Sequence, residues 1–230
     1  HMTGIIAHRG FNGLYPENTR RAFEEALKLD IAGIECDVNL SQDGEVVVIH
    51  DLTVDRTSDG SGEVGQMTLD ELRKLNVGTG DDPQQIMQLG ELLDLLEQYP
   101  GKHILIETKH PSPFGPALEE AVARVLRARG MERDPRVHLI SFNPEAIERF
   151  HQLLPDLETF LLADEGFEPV GECGAGPSVR LARQQPELLD GRFRTYVWTV
   201  NLPKDMLWLQ HHGASLIGTD LPHIALETLA

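Results

Sequence analysis

The chain is poor in cysteine and has no long apolar run. It contains two cysteines, and Cys36 falls in a predicted buried strand, so we expect no disulfide and favour a reducing, cytoplasmic compartment. No run approaches the roughly 18 apolar residues that a membrane-spanning helix needs, so no integral membrane segment is expected. No signal peptide is visible, although His1-Met2 resembles a cloning remnant and an earlier leader remains an open alternative.

Positive charge is also scarce. The sequence has 20 lysines and arginines against 37 aspartates and glutamates, a formal net charge of -17. Such a balance repels phosphate backbones and anionic lipid, so neither nucleic acid nor a membrane surface is expected as the main partner. No internal repeat or low-complexity linker is present, so we predict one domain over residues 1–230. The oligomeric state is left open.

The chain does contain a series of short apolar runs, each followed by polar residues. Eight runs read as strands, and helical stretches separate most of them. Strand, helix and strand in succession imply a parallel pair, so eight of them predict an α/β fold, the (β/α)8 TIM barrel. The alternative, an open doubly wound sheet, lacks its G-x-G-x-x-G fingerprint here. The predicted strands are residues 4–7, 32–34, 46–49, 103–106, 137–140, 159–162, 195–198 and 215–218.

Three carboxylates occupy strand positions that seldom carry charge. Glu35 and Asp37 are two residues apart, so they point to the same face, and Glu107 follows another strand. Burying such groups together costs several kcal/mol unless a cation offsets their charge. Oxygen ligands favour a hard divalent ion, Mg²⁺ or Ca²⁺, over zinc. The ordinary alternative is that one or more carboxylates reach solvent or pair with an arginine.

Histidine and arginine stand at neighbouring strand ends. His8-Arg9 follows the first predicted strand and His50-Asp51 the third. A phosphodiester resists attack because its own charge repels the nucleophile, so its hydrolysis needs a cation, positioned donors and proton transfer. Histidine titrates near neutrality and can take or give the proton. These residue types together indicate phosphodiester cleavage.

The ordered motifs resemble the glycerophosphodiester phosphodiesterases, which are phosphatidylinositol phospholipase C-like TIM-barrel enzymes. The likeness covers essentially the whole chain, and the ordered set is far more specific than any one motif. The matching segments are His8-Arg9-Gly10, Pro16-Glu17-Asn18-Thr19, Gly33-Ile34-Glu35-Cys36-Asp37-Val38, His50-Asp51, Asp55-Arg56-Thr57-Ser58-Asp59-Gly60, Glu107-Thr108-Lys109, Trp198-Thr199-Val200-Asn201 and Gly218-Thr219-Asp220-Leu221-Pro222.

The resemblance implies a role for each matching residue. His8 and His50 would be the general acid and base, in an order left open. Arg9 and Lys109 would bind phosphate oxygens, and Trp198 would be either a wall over glycerol or a core residue. Residues 52–88 would be an insertion after the third strand that forms one wall of the cleft. The metal ligands would be Glu35, Asp37 and Glu107, which hold one divalent cation, Mg²⁺ or Ca²⁺.

The expected reaction is metal-dependent hydrolysis of a glycerophosphodiester to glycerol phosphate and an alcohol such as choline or ethanolamine. Either water or a neighbouring substrate hydroxyl could attack. One alternative is a lysophospholipase D type activity, for which Phe11, Leu14, Tyr15 and Phe114 are candidates to form an apolar groove. The other is a catalytically silent barrel that binds phosphorylated ligands, against which the retained histidines and carboxylates argue. Residues 166–185 are too rich in glycine to interpret.

Overall fold

The computed structural model describes residues 2–230, and His1 lies outside the described part. Strands and helices alternate along most of the chain. The strands are β1 Gly4–His8, β2 Gly33–Leu40, β3 Val46–Val48, β4 His103–Thr108, β5 Val137–Ser141, β6 Glu158–Ala163, β7 Gly174–Pro177, β8 Tyr196–Val197 and β9 Leu216–Thr219. The helices are α1 Arg20–Leu27, α2 Leu69–Leu72, α3 Leu89–Leu96, α4 Ala117–Ala128, α5 Pro144–Leu153, α6 Val179–Gln184, α7 Pro203–His211 and α8 Pro222–Leu229.

Eight of the strands run parallel around a barrel. Their order is β7-β6-β5-β4-β2-β1-β9-β8, and each neighbouring pair is parallel. Single parallel bridges between Ala175 and Thr195 and between Ser178 and Trp198 join β7 to β8, which nearly closes the ring. The helices between these strands cover the outside. The predicted (β/α)8 barrel is therefore confirmed.

One barrel strand differs from the prediction. β3 is the third strand in the chain, but it pairs antiparallel with β2 and lies off the path of the barrel. The missing barrel strand is β7, within the segment that the sequence left uninterpreted. Its residues Gly-Ala-Gly-Pro have low strand propensity. Side chains of the neighbouring strand fill the space where larger side chains would stand. A Cβ on Gly174 would lie 2.6 Å from Phe160 Cδ1, and one on Gly176 would lie 2.8 Å from Leu162 Cδ2.

Strand alternation separates two apolar layers. Residues facing the helices, among them Cys36 and Ile106, belong to the large outer core. Residues facing inward belong to a smaller cluster inside the barrel that includes Leu105 and Tyr196. Because Cys36 faces outward, its neighbours Glu35 and Asp37 face the barrel interior. The pleat of β2 thus places two carboxylates inside.

Side-chain caps set several helix starts. Thr19 accepts a hydrogen bond from the Ala22 N–H at the start of α1, and Asn143 does the same for Glu145 before α5. Residues 52–88 contain a short 3-10 helix, Val64–Gln66, and α2, packed on a small apolar cluster of their own with β3. Within residues 2–230, no helix is both long and apolar enough to cross a membrane.

Candidate active site

The charged residues meet at the carboxyl ends of the barrel strands. Strand register aligns His8 with Glu35 across β1 and β2, and Asp37 with Glu107 across β2 and β4. The end of each parallel strand opens at the same rim of the barrel, where TIM-barrel enzymes hold their active sites. Residues far apart in sequence therefore share one face.

Three carboxylates form the centre of the site. Ligand atoms of Glu35, Asp37 and Glu107 lie within 4.8 Å of one another, and all three residues are buried. The Arg9 backbone N–H donates to Glu35 Oε1 at 3.0 Å, and Lys109 Nζ donates to Glu107 Oε2 at 2.8 Å. Asp37 Oδ1 is buried without a hydrogen-bond partner among the described residues. An unpaired carboxylate oxygen there suits a cation better than a closed ion-pair network.

The electrostatics of the cluster point the same way. Burial, together with the charges of its two partners, raises the pKa of Glu35 well above its usual range. Burial and the charge of Asp37 raise the pKa of Glu107 to about 8. Burial acts in the same direction on Asp37, but the charges of Arg9 and Lys109 outweigh it and lower its pKa. A set of oxygen donors that repel one another fits a hard divalent cation such as Mg²⁺ or Ca²⁺.

Each of two histidines is backed by an aspartate. His8 Nδ1 lies 2.8 Å from Asp220 Oδ1, and His50 Nδ1 lies 2.6 Å from Asp51 Oδ1. These contacts fit an Nδ1–H donor in each ring, which leaves Nε2 free for proton transfer in the cavity. Burial is the largest influence on His50 and lowers its pKa, with the charges of Lys109 and Arg9 acting in the same direction. A lowered pKa favours the neutral form of the ring, which can accept a proton.

Asp220 and Asp51 were missed as site residues by the sequence analysis. Asp220 also accepts from Asn12 Nδ2 at 3.1 Å and from Asn201 Nδ2 at 2.9 Å, so the C-terminal motif fixes the N-terminal histidine. Their positions within the motifs could have indicated them as site residues. Asp51 directly follows His50, and Asp220 lies within the Gly-Thr-Asp-Leu-Pro motif. Nothing in the spacing pairs Asp220 with His8, because they are 212 residues apart.

Arg56 from the insertion links the two halves of the site. Its Nε donates to Asp51 Oδ2 at 2.9 Å, and its Nη1 donates to Glu17 Oε1 at 2.9 Å. Its Nη2 reaches the second oxygen of each carboxylate, at 3.0 Å in both cases. Glu17 also accepts from Arg9 Nη1 at 3.1 Å. A chain of contacts thus runs from His50 through Asp51, Arg56 and Glu17 to Arg9.

The backbone around Arg9 is held in an unusual conformation. Arg9 and Asn18 have φ values of 56° and 57°, in the left-handed region that non-glycine residues seldom occupy. The Asn18 N–H donates to the Arg9 carbonyl at 2.9 Å, and Asn18 Nδ2 donates to Asp37 Oδ2 at 3.1 Å. These contacts stabilise the strained turn and aim the Arg9 guanidinium at the carboxylates, with its Nε 3.3 Å from Asp37 Oδ2.

A cavity of about 170 Å³ opens over these groups. The aromatic rings of Phe142 and Trp198 stand edge to face at its wall, with centroids 5.4 Å apart. Trp198 Nε1 donates to the Gly176 carbonyl at 2.7 Å, which fixes the indole. Asp37 is not itself a lining residue; those residues are His8, Arg9, Glu35, His50, Glu107, Lys109, Ile140, Phe142, Leu162, Tyr196, Trp198 and Thr199. The cavity therefore brings together the residues that the motifs singled out.

Other histidines lie apart from this centre. His103 Nδ1 is 2.8 Å from His138 Nε2, and His138 Nδ1 is 2.9 Å from Glu158 Oε1, at the starts of β4, β5 and β6. That is the opposite end of the barrel, where packing is the expected role. His110 binds the buried Glu119 at 2.7 Å, which anchors the loop after β4.

Comparison with known proteins agrees with this geometry. The model of the "Glycerophosphoryl diester phosphodiesterase family" matches residues 8–224. The chain belongs to this family. The predicted family membership is confirmed, and so is the prediction of a phosphoric diester hydrolase.

Relatives within the family match over almost their whole length. A glycerophosphodiester phosphodiesterase of Caldanaerobacter subterraneus subsp. tengcongensis is 33% identical, covering 98% of this chain and 97% of that protein. One from Bacillus altitudinis is 32% identical, covering 98% of each. Among solved structures, an Oleispira antarctica phosphodiesterase in complex with the product sn-glycerol-3-phosphate has a TM-score of 0.89 at 26% identity, covering 99% of this chain and 96% of that one.

Proposed function

We propose that this chain hydrolyses glycerophosphodiesters to glycerol phosphate and an alcohol such as choline or ethanolamine, with one divalent cation, Mg²⁺ or Ca²⁺. The observation that carries the proposal is the pair of aspartate-backed histidines, His8 and His50, lining one cavity with the carboxylate cluster. Binding alone would not require a matched acid and base. The product seen in the Oleispira antarctica relative supports the same substrate class.

In this proposal Glu35, Asp37 and Glu107 hold the cation. When bound, it would supply Lewis-acid stabilisation of the negative charge that develops on the phosphoryl oxygens. Arg9 and Lys109, which flank the cluster, bind the remaining phosphate oxygens; the guanidinium can engage two at once and the ammonium acts as a point charge. Their proximity compensates for the overall charge of -17, which repels an anionic substrate at long range.

The two histidines divide the proton transfers. His50, whose pKa is lowered chiefly by burial, is neutral and takes the proton of the nucleophile at Nε2. His8, held by Asp220, delivers a proton to the leaving alkoxide. Trp198 and Phe142 form the apolar wall over glycerol. The nucleophile is either water or the adjacent substrate hydroxyl, and trapping of a cyclic phosphate product separates these two routes.

A three-substrate assay tests the proposal. We expect turnover of glycerophosphocholine, little or none of a long-chain lysolipid, and loss of all turnover with chelator, restored by Mg²⁺ or Ca²⁺. Preference for the lysolipid would replace the proposed substrate class. Full activity in chelator would remove the cation from the mechanism, and tight binding of glycerol phosphate without any turnover would support the silent barrel.

The positions of the four apolar candidates bear on the lysophospholipase D alternative. Leu52, Pro111, Pro113 and Phe114 are among the residues that line a groove of about 440 Å³. In the chain, Leu52 follows Asp51, and Pro111 comes two residues after Lys109. Of the four apolar candidates, Phe114 lines this groove. By contrast, Phe11 is buried against Tyr15, and Leu14 is 63% exposed. The candidates are thus divided between two places, which weakens this alternative.

Organisation and location are part of the same proposal. The barrel and residues 52–88 would act as one domain, since Arg56 of the insertion contacts Glu17 at the barrel rim. A cytoplasmic location is supported by Cys36 and Cys173, which are both free and buried. Nucleic acid is disfavoured as a partner by the net charge.

A further inference from the structure

Tyr196 is a buried polar residue that the mechanism above does not use. It lies in β8, is 1% exposed, and packs in the apolar cluster inside the barrel. Its hydroxyl has no hydrogen-bond partner among residues 2–230. Leaving a buried hydroxyl unpaired costs about 1–3 kcal/mol, so a phenylalanine would serve packing better at this position.

Tyr196 is one of the residues that line the active-site cavity. Tyr196 lines that cavity with Glu35 and Glu107, and it stands two residues before Trp198 on the same face of its strand, one layer deeper. In the barrel order, β8 is separated from β2 by β1 and β9, so Tyr196 enters from a different side than the carboxylates. Arg9 follows β1 and Lys109 follows β4, so the two charged donors of the cavity come from other strands of the ring.

The neighbouring strand keeps space for this hydroxyl. A Cβ on Gly218 of β9 would collide with Tyr196 Oη. Gly218 belongs to the Gly-Thr-Asp-Leu-Pro segment that also supplies Asp220 to His8. The glycine therefore makes room for a polar atom that has nothing to bind within the protein.

The hydroxyl is a hydrogen-bond donor under working conditions. An ordinary tyrosine is protonated at neutral pH. Burial raises the pKa of Tyr196 well above its usual range, and the charges of Glu35 and Glu107 act in the same direction. A fixed donor in a residue that lines a cavity suits an acceptor oxygen that arrives with the ligand.

We propose that Tyr196 is a further ligand-contact residue, whose hydroxyl donates a hydrogen bond to an oxygen held in the cavity. That oxygen belongs either to the phosphate of the bound diester or to a water molecule on the cation. The proposal rests on the function proposed above. It assigns a neutral donor from β8 to the site, in addition to the charged Arg9 and Lys109.

The test is Tyr196→Phe, which keeps the ring and removes only the hydroxyl. In chelator and without ligand, we expect the variant to unfold at the same temperature as the parent or a higher one, because an unpaired buried hydroxyl has been removed. With saturating cation and varied glycerophosphocholine, we expect kcat/KM to fall about tenfold. That factor corresponds to the loss of one neutral hydrogen bond. Tyr99→Phe, outside the site and half-buried against the outer core, is the matched control and should leave kcat/KM unchanged.

Thermal shifts identify the acceptor. If it is a water molecule on the cation, Tyr196→Phe will reduce the stabilisation by Mg²⁺ or Ca²⁺ alone. If it is a phosphate oxygen, the variant will reduce only the additional stabilisation by sn-glycerol 3-phosphate or inorganic phosphate.

The proposal would be overturned if the parent and Tyr196→Phe had the same kcat/KM and the same increases in unfolding temperature with cation and with phosphate ligand. A marked loss of stability of the ligand-free variant would also overturn it, because that result would mean that the hydroxyl has a structural partner. The thermal-shift arms remain decisive even if the parent shows no turnover of glycerophosphodiesters, so failure of the proposed function is distinguished from failure of this contact.

Discussion

Without its cation, the protein should lose stability at alkaline pH. The ionisation of Glu107 is the cause that we expect. Its side chain is buried beside Asp37, with Lys109 as its only charged hydrogen-bond donor among the described residues. Burial and the charge of Asp37 raise its pKa from 4.5 to about 8. Between these two pH values, Glu107 is therefore protonated in the folded state and ionised in the unfolded chain.

The sign and size of the effect follow from linkage. Between pH 4.5 and about 8 the native protein binds more protons than the unfolded chain, so stability falls as pH rises through that window. Each tenfold difference in proton affinity is worth about 1.4 kcal/mol, so the total loss from Glu107 approaches about 5 kcal/mol at alkaline pH. A loss of this order is a large fraction of the roughly 5–15 kcal/mol that holds a domain together.

Urea unfolding in chelator at pH 5, 7 and 9 measures the effect. We compare the parent with Glu107→Gln, which keeps the shape but cannot ionise, and with Glu120→Gln on the exposed face of α4 as control. The free energy of unfolding of the parent should fall by several kcal/mol more than that of Glu107→Gln between pH 5 and pH 9. Glu120→Gln should follow the parent.

Two results would refute this reasoning. The first is a parallel pH dependence of the parent and Glu107→Gln in chelator, which would mean that the folded site tolerates the third charge without a cation. The second is an undiminished pH dependence of the parent at saturating Mg²⁺ or Ca²⁺, because a bound cation should hold Glu107 ionised and release its proton.

The other predictions concern turnover. His8→Ala and His50→Ala should each lower kcat by a factor of about 10² to 10⁴ without loss of folding, whereas His211→Ala on exposed α7 should not; near-parental rates would contradict the assigned roles. The kcat/KM profile should lose activity on the acid side below pH 6.5, because His50 must be neutral and its pKa is lowered; an acid limb above that value would contradict the base role. Glu35→Gln should abolish activation by Mg²⁺ or Ca²⁺, checked by titrating metal into chelator-treated protein; unchanged activation would refute the ligand. Arg56→Lys removes the planar guanidinium that donates to both Asp51 and Glu17. It should lower kcat about tenfold or more with little change in thermal stability. An unchanged kcat would show that the contacts from Arg56 through Asp51 have no part in positioning His50.

Part of the site could be predicted because residues two apart on a strand point to the same face. The pleat places Glu35 and Asp37 on one face whatever the rest of the chain does. The ordered motifs that match the family then singled out His8 and His50, and the count of eight strands predicted the barrel. The helix caps Thr19 and Asn143 are also local contacts, since each accepts a hydrogen bond from a backbone N–H within three residues.

The two strands that the prediction missed or misplaced, β7 and β3, have different causes. β7 has glycines where a strand normally has side chains, and it exists because Phe160 and Leu162 fill that space from β6. β3 has the apolar pattern of a barrel strand, yet it pairs antiparallel with β2, because residues 41–45 between them are too few for a parallel crossover.

The sequence by itself determined the family, the parallel barrel and the identity of the charged groups, since these follow from local periodicity and motif order. Only the tertiary structure decided which carboxylate orients which histidine, how Arg56 joins Asp51 to Glu17, and that the Tyr196 hydroxyl is left without a partner. The physical reason is that hydrogen bonds and desolvation depend on distances of a few ångströms. Closure of the barrel sets such distances between strands at opposite ends of the chain.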